Sequence, residues 1–233
     1  MKKASLFTLL IILFTVNFSV NAQDIPLDDY SKANKGMYAS GQVSTNGLGF
    51  DLRYIFNKTI TLKTGVETLS FSYNFDFDEN DIDYDADLDF STGGIFLLAD
   101  INYTKNLYVS LGATLNLLNP EIKGYAVSDL QYGDIVVPAS QVGDFTINLT
   151  PNYKISPYLG AGIRSFLGKK ERVIYSFETG FYYVGAPNIE IEATGLLAPT
   201  ADPAHGQREM LEKQFSQYKL YPVIKFNVAV KLF

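Results

Sequence analysis

The sequence predicts an all-β fold: an eight-stranded antiparallel up-and-down transmembrane β-barrel with short periplasmic turns and one external-loop helix. Three observations carry this expectation. Apolar residues recur with a period of two, as in Leu48, Phe50, Leu52, Tyr54 and Phe56 and again from Leu107 to Leu117, the pattern of strands with two unlike faces. Tight connections (Asn57-Lys58-Thr59, Thr104-Lys105-Asn106, residues 168–172) alternate with long ones such as 128–144 and 193–219, as in outer-membrane barrels. Finally, Lys2 and Lys3, an apolar core from Leu6 to Val16 and the small residues of Val20-Asn21-Ala22 have the form of a secretory signal peptide. A membrane helix needs ~20 apolar residues, more than this run supplies.

The organisation follows. Residues 1–22 are read as the signal peptide, 23–34 as an N-terminal periplasmic segment and 35–233 as the outer-membrane β-barrel domain. Composition excludes several classes. Of 233 residues 47% are hydrophobic, and 16 Tyr with 17 Phe argue against disorder. The lack of cysteine removes disulfides, thiolate metal sites, cysteine nucleophiles and a lipidated cysteine anchor. Loss of Lys2 and Lys3 leaves 17 basic against 25 acidic side chains, so nucleic acid is not an expected partner. Nothing in the residues calls for a cofactor.

The expected strands cover about residues 35–44, 47–56, 60–77, 83–103, 107–127, 145–167, 173–192 and 220–233. The first, closed by a bend at Thr45-Asn46-Gly47, is required because periplasmic termini demand an even count. Several strands exceed the ~9–11 residues that cross a membrane and should project beyond it. A soluble sandwich also alternates. In hydrocarbon, by contrast, every backbone polar group must be paired internally, so spanning strands must close into a barrel. With eight strands the interior is filled by side chains.

The inward phase is a set of charges. The turn at residues 57–59 sets Arg53 opposite Lys63, Asp51 opposite Gly65 and Gly49 opposite Glu67, and the turn after Gly168 is expected to set Arg164 opposite Glu178. Asp100 points inward if Ala99 and Ile101 point out, and Lys225 and Lys231 occupy the polar phase of the last strand. Asp51, Glu67, Asp100 and Glu178 against Arg53, Lys63, Arg164, Lys225 and Lys231 suit a lumen plugged by mutual salt bridges.

Two further segments are candidates for chemistry. Asp81, Asp83, Asp85, Asp87 and Asp89 alternate with apolar residues. On a strand they form a one-faced carboxylate ladder, either a weak divalent-cation site or a solvated projecting strand whose acids meet bases on its neighbours. An EF-hand would need Gly and Glu where Ala86 and Thr92 stand. His205, the one histidine, lies in a long loop, poorly placed to serve as the base of a lipid hydrolase. After it, Gln207 to Tyr218 forms an amphipathic helix with Met210, Leu211, Phe215 and Tyr218 on one side, expected to cover the barrel mouth or rest on the rim. Phe71, Tyr73, Phe75 and Phe77 are read as an outer aromatic girdle.

The segments Ile82 to Asp100 (IDYDADLDFSTGGIFLLAD), Pro157 to Ile163 (PYLGAGI), Ser176 to Gly195 (SFETGFYYVGAPNIEIEATG) and Tyr221-Pro222-Val223 before Phe233 resemble a family of small outer-membrane β-barrel proteins, similar in architecture to OmpA-like and OmpW-like eight-stranded barrels. The resemblance spans roughly residues 37 to 233. It implies location and fold and names no substrate. The terminal Phe233 matches the usual ending of such barrels, whereas Lys231 stands where an aromatic or apolar residue is common.

The expected function is a structural or surface-interaction barrel with a plugged lumen and no catalysis. The alternatives are a narrow channel or binding barrel for a small apolar molecule and, third, a lipid-modifying enzyme. Expected partners are outer-membrane lipid and lipopolysaccharide, with the barrel-assembly machinery during biogenesis. The residues do not identify a ligand.

Overall fold

The computed structural model describes residues 35–79, 82–132, 135–167, 171–202 and 206–233. The signal peptide, the 23–34 segment, Asp81 and His205 lie outside them. Eight strands close a ring: β1 (Gly36–Ser44), β2 (Gly47–Ile55), β3 (Ile60–Glu79), β4 (Ile82–Asn102), β5 (Leu107–Asn116), β10 (Ile155–Leu167), β11 (Val173–Tyr183) and β13 (Leu220–Lys231). Each is antiparallel to its ring neighbours. β1 joins β2 on one side and β13 on the other, and the β4–β5 pairing completes the circle. With both edges of the sheet joined, no strand of the lower ring presents an unpaired edge. No helix among the described residues is long and apolar enough to cross a membrane.

Three of the long strands expected from the sequence are each two strands. The stretch 107–127 divides into β5 and β6 (Glu121–Ala126), 145–167 into β9 (Asp144–Thr150) and β10, and 173–192 into β11 and β12 (Asn188–Ala193). Each interruption carries a proline, Pro120, Pro151 or Pro187, which lacks the N–H that a central strand must donate. Beyond the bends, β6, β9 and β12 extend the wall as a second tier in the order β3-β4-β6-β9-β12. Five strand paths therefore continue past the rim, while β13, β1 and β2 stop there. A small hairpin, β7 (Leu130–Tyr132) with β8 (Ile135–Val137), and short helical turns fill the long loops. The fold thus has more helical pieces than the single loop helix expected.

The radial polarity of the ring is the reverse of a water-soluble domain. Its outer face exposes Leu48, Phe50, Leu97, Leu111, Phe226 and their neighbours, while Asp51, Arg53, Lys63, Glu67, Asp100 and Glu178 are buried inside. Above the rim the two faces exchange character. The β3–β4 pairing runs without a bulge from Ile60↔Ile101 to Glu79↔Ile82, so the outward phase that carries Leu62 and Val66 continues as Ser70, Ser72, Asn74, Asp76 and Asp78. The inward phase that carries Lys63 and Glu67 continues as Phe71, Tyr73, Phe75 and Phe77. Those four aromatics are therefore not a girdle facing outward. Phe71 stacks on Phe90, and Phe77 on Tyr84, each with ring centroids 5.1 Å apart.

The changeover occurs at Gly93, opposite Thr68, where β2 ends with Leu48 also opposite Thr68. Gly93 has φ +139°, and a Cβ there would lie 2.2 Å from the backbone oxygen of Glu67, so neither its conformation nor its space admits a side chain. Gly93→Ala should destabilise the folded chain by about 1–3 kcal/mol, read as a lower urea midpoint in lipid vesicles. Gly41→Ala, where a Cβ meets nothing within 4 Å, should leave the midpoint nearly unchanged.

Candidate functional site: a charged interior

The interior is built in layers. Near the termini Tyr38, Ile55, Ile174 and Ala229 form an apolar cluster against Phe166. Toward the long-loop end Phe96, Leu98, Tyr158, Tyr182, Val184 and Val223 form another. The charges surround the second cluster: along the β3–β4 pair Phe96 and Leu98 stand between Asp100 and the level of Glu67. Small inward residues, among them Ser40, Ser110, Thr114, Ser156 and Ser176, leave room for long side chains to reach across the ring.

Two glutamates are the hubs. Glu178 on β11 is fully buried. Its Oε2 lies 2.5 Å from Lys63 Nζ and accepts from Tyr108 Oη at 2.9 Å, while Oε1 accepts from Tyr158 Oη at 2.6 Å. One carboxylate thus ties β11 to β3, β5 and β10. Glu67 on β3 accepts five hydrogen bonds. Asn46 Nδ2, Tyr182 Oη and Lys225 Nζ reach Oε1 at 2.8, 2.7 and 3.2 Å. Gln42 Nε2 and Ser44 Oγ reach Oε2 at 2.7 and 3.1 Å. Lys225 also donates to Tyr182 Oη at 2.6 Å and lies over the rings of Phe96, Tyr158 and Tyr182, a favourable setting for a desolvated cation.

The remaining charges complete the pairing. Lys63 Nζ is 3.0 Å from Asp100 Oδ1, and Arg164 Nη2 is 2.9 Å from Asp100 Oδ2. Arg164 also covers the Tyr108 ring at 4.1 Å. Arg53 grips Asp51 in a fork of two 3.0 Å bonds and donates to Ser40. The pair expected between Arg164 and Glu178 does not form. Leu167 faces Val173, which sets Arg164 opposite Ser176 and Glu178 opposite Gly162, two residues from the expected register. Each member finds its counter-charge across the lumen instead. Lys231 lies at the terminal end, 5.9 Å above the Tyr38 ring. Sequence reasoning missed Tyr108, Tyr158 and Tyr182, whose hydroxyls finish the glutamate shells; their inward phase beside Gly112, Gly160 and Gly162 is the signal that could have found them.

Asp83, Asp85, Asp87 and Asp89 lie on the outward face of the second tier. There Asp83 faces Asp78 and Asp85 faces Asp76 across the β3–β4 pair. On the other side Asp85 accepts from Tyr125 Oη at 3.0 Å, and Lys123 stands opposite Asp87. That bond raises the titration of the Tyr125 hydroxyl, and hydrogen bonding to Glu121 does the same for Lys123. Among the described residues no group of three or more His, Asp or Glu side chains is disposed to hold a metal ion. The loop helix spans Gln207–Phe215 and packs beside β12 with none of its residues buried. Its apolar side is not packed away: Met210, Phe215 and Tyr218 remain exposed.

A closed antiparallel ring with charges inside and apolar side chains outside defines the class: an all-β barrel built inside out. The chain shares its fold with solved structures of Acinetobacter baumannii CarO, at 22% identity and TM-score 0.53 over 83% of this chain and 96% of that one. A second likeness is to CarO2 of the same organism, at 21% identity and TM-score 0.55 over 84% and 97%. No family model matches the chain, and no curated protein matches it.

Removing one member of a buried pair strands the others. Glu178→Ala leaves Lys63, Tyr108 and Tyr158 without their shared acceptor and should cost about 3–5 kcal/mol. Combining Lys63→Met with Glu178→Leu should recover a large part of that loss, a non-additivity measurable by urea titration of the singles and the double.

Proposed function

We propose that the chain is a non-catalytic outer-membrane barrel that spans the bilayer with its eight-strand ring, keeps its lumen closed and presents the second tier outside the cell. The observation that carries this reading is the match between a buried interior of four acids and four bases, each in an ion pair, and an outer face of exposed apolar side chains. Water would penalise that outer face; hydrocarbon accepts it. β11, with 11 residues, rises roughly 25–28 Å along the normal at the usual strand tilt, the height of a barrel's apolar band. The short turns then face the periplasm, consistent with an N-terminal export signal, and the acidic tier faces outward. The fold shared with CarO supports the barrel assignment. Lipid and lipopolysaccharide are the proposed surroundings, and the barrel-assembly machinery the partner in biogenesis.

A pore requires unfilled volume along the axis, and the side chains that link β3, β5, β10 and β11 across the ring at Glu178 support a closed lumen. In planar bilayers the purified chain should give no steady single-channel conductance, and Glu67→Ala, which frees Lys225 and Tyr182, should introduce flickering openings. Steady ohmic conductance from the unmodified chain would contradict the closed lumen and favour a narrow conduit.

A further inference from the structure

The ring has no open edge, but the second tier does. β2 pairs with β3 only as far as Leu48↔Thr68, while β4 accompanies β3 up to Glu79. From Leu69 to Glu79, eleven residues of β3 therefore have a strand on one side and, among the described residues, none on the other.

Which backbone groups face the open side follows from the hydrogen bonds at both ends of the hairpin. Ile60 accepts from Phe56 on the β2 side, and Thr59 accepts from Asn102 on the β4 side. Even-numbered β3 residues therefore turn their N–H and C=O toward β2, and odd-numbered ones toward β4. The alternation persists to the tip: Ser91 and Asp83 of β4 accept from Asn119 and Val127 on the far side, which leaves the even β4 residues to pair with odd β3 residues. The N–H and C=O of Ser70, Ser72, Asn74, Asp76 and Asp78 therefore point out of the sheet, a template for one more strand.

The side chains along this edge specify what kind of strand fits. On the outward face an added strand would lie beside Asp76 and Asp78, each already opposed by another aspartate, Asp85 and Asp83. Like charges directly opposed are unfavourable, and cationic side chains on a third strand would relieve them. On the inward face it would lie beside Phe71 and Tyr73, exposed by 47% and 61%, and would bury apolar side chains. We infer that the free edge of β3 binds an extended peptide segment in which cationic and apolar residues alternate, by addition of a strand to the second tier. A second copy fits less well: barrels in one membrane stand parallel, which in register would set Asp76 beside Asp76 and Asp78 beside Asp78.

The test uses the full barrel in detergent and a nonapeptide alternating lysine and valine with one tryptophan. The chain contains no Trp, so tryptophan emission, excited beyond the tyrosine absorption band, belongs to the peptide alone. Saturable binding is expected, weakened about tenfold or more by Asn74→Pro, which removes an edge-facing N–H and no β3–β4 backbone bond; Asn74→Ala, which loses the same side-chain bonds to Asp85 and Asp87 but keeps the N–H, should bind nearly as the unmodified chain does. The same loss is expected for a peptide N-methylated on its pairing face, which keeps its charge and needs no variant protein. Asp76→Asn with Asp78→Asn should weaken binding and flatten its salt dependence. An alternating glutamate–valine peptide should not bind. Undiminished binding of the N-methylated peptide, equal binding of the acidic one, or no binding at all overturns the inference. So does self-association that Asn74→Pro abolishes, which would make a second copy the occupant.

Discussion

A charge withdrawn from water into a ring of strands must meet its opposite there, and the rest of this structure depends on that requirement. Glu178 and Glu67 draw their partners from β1, β3, β5, β10, β11 and β13 and from the turn at Asn46. Lys63 and Glu178 are 115 residues apart, as are Glu67 and Tyr182. Both shells need strands distant in sequence to have paired, and a glutamate buried with only part of its shell would be left with too few donors. Pairing of distant strands and satisfaction of the interior therefore support each other. The same shells reach across the ring, so in the proposed reading the interactions that join the strands also close the lumen.

The second tier obeys the opposite rule with the same alternation. Its outward face meets water and carries aspartates. Its inward face is apolar and packs against loops, as where Tyr84, Ala126 and Val142 meet Phe77, Phe145 and Leu197. The change falls at the Gly93–Thr68 pair. Below it the outward residues are apolar, as the proposed hydrocarbon surroundings would favour; above it, the familiar arrangement of a water-facing sheet returns. No slip of register occurs; in the proposed reading only the solvent changes.

Much of this was legible in the residues, and what was not has physical causes. A three-residue turn after Phe56 leaves little freedom, so the pairing of Arg53 with Lys63 and of Gly49 with Glu67 could be read from spacing. The five-residue connection before Val173 leaves more, and the expected Arg164–Glu178 pairing fails by two residues. The phase of alternation places the four acids and their bases on one face in sequence and structure alike. The pairs themselves join strands that are not neighbours, and no local pattern encodes which charge meets which across a lumen. Pro120, Pro151 and Pro187 were visible as strand breakers, yet apolar alternation continues past each, so the breaks read as bends within one strand. Phe71 to Phe77 looked like a girdle because periodicity identifies a face without saying which solvent it meets.

A single alternation runs through β4 and, in the proposed reading, changes solvent at Gly93. The absence of cysteine makes the measurement direct: single cysteines placed one at a time from Asp83 to Ile101, spin-labelled in lipid vesicles, and read for collision with oxygen and with a polar nickel chelate. The account predicts oxygen-accessible labels at Ile95, Leu97, Ala99 and Ile101, chelate-accessible labels at Asp83, Asp85, Asp87 and Asp89, and restricted labels at Phe96, Leu98 and Asp100. Chelate access along Ile95 to Ile101, or oxygen access at the even positions between them, would contradict it.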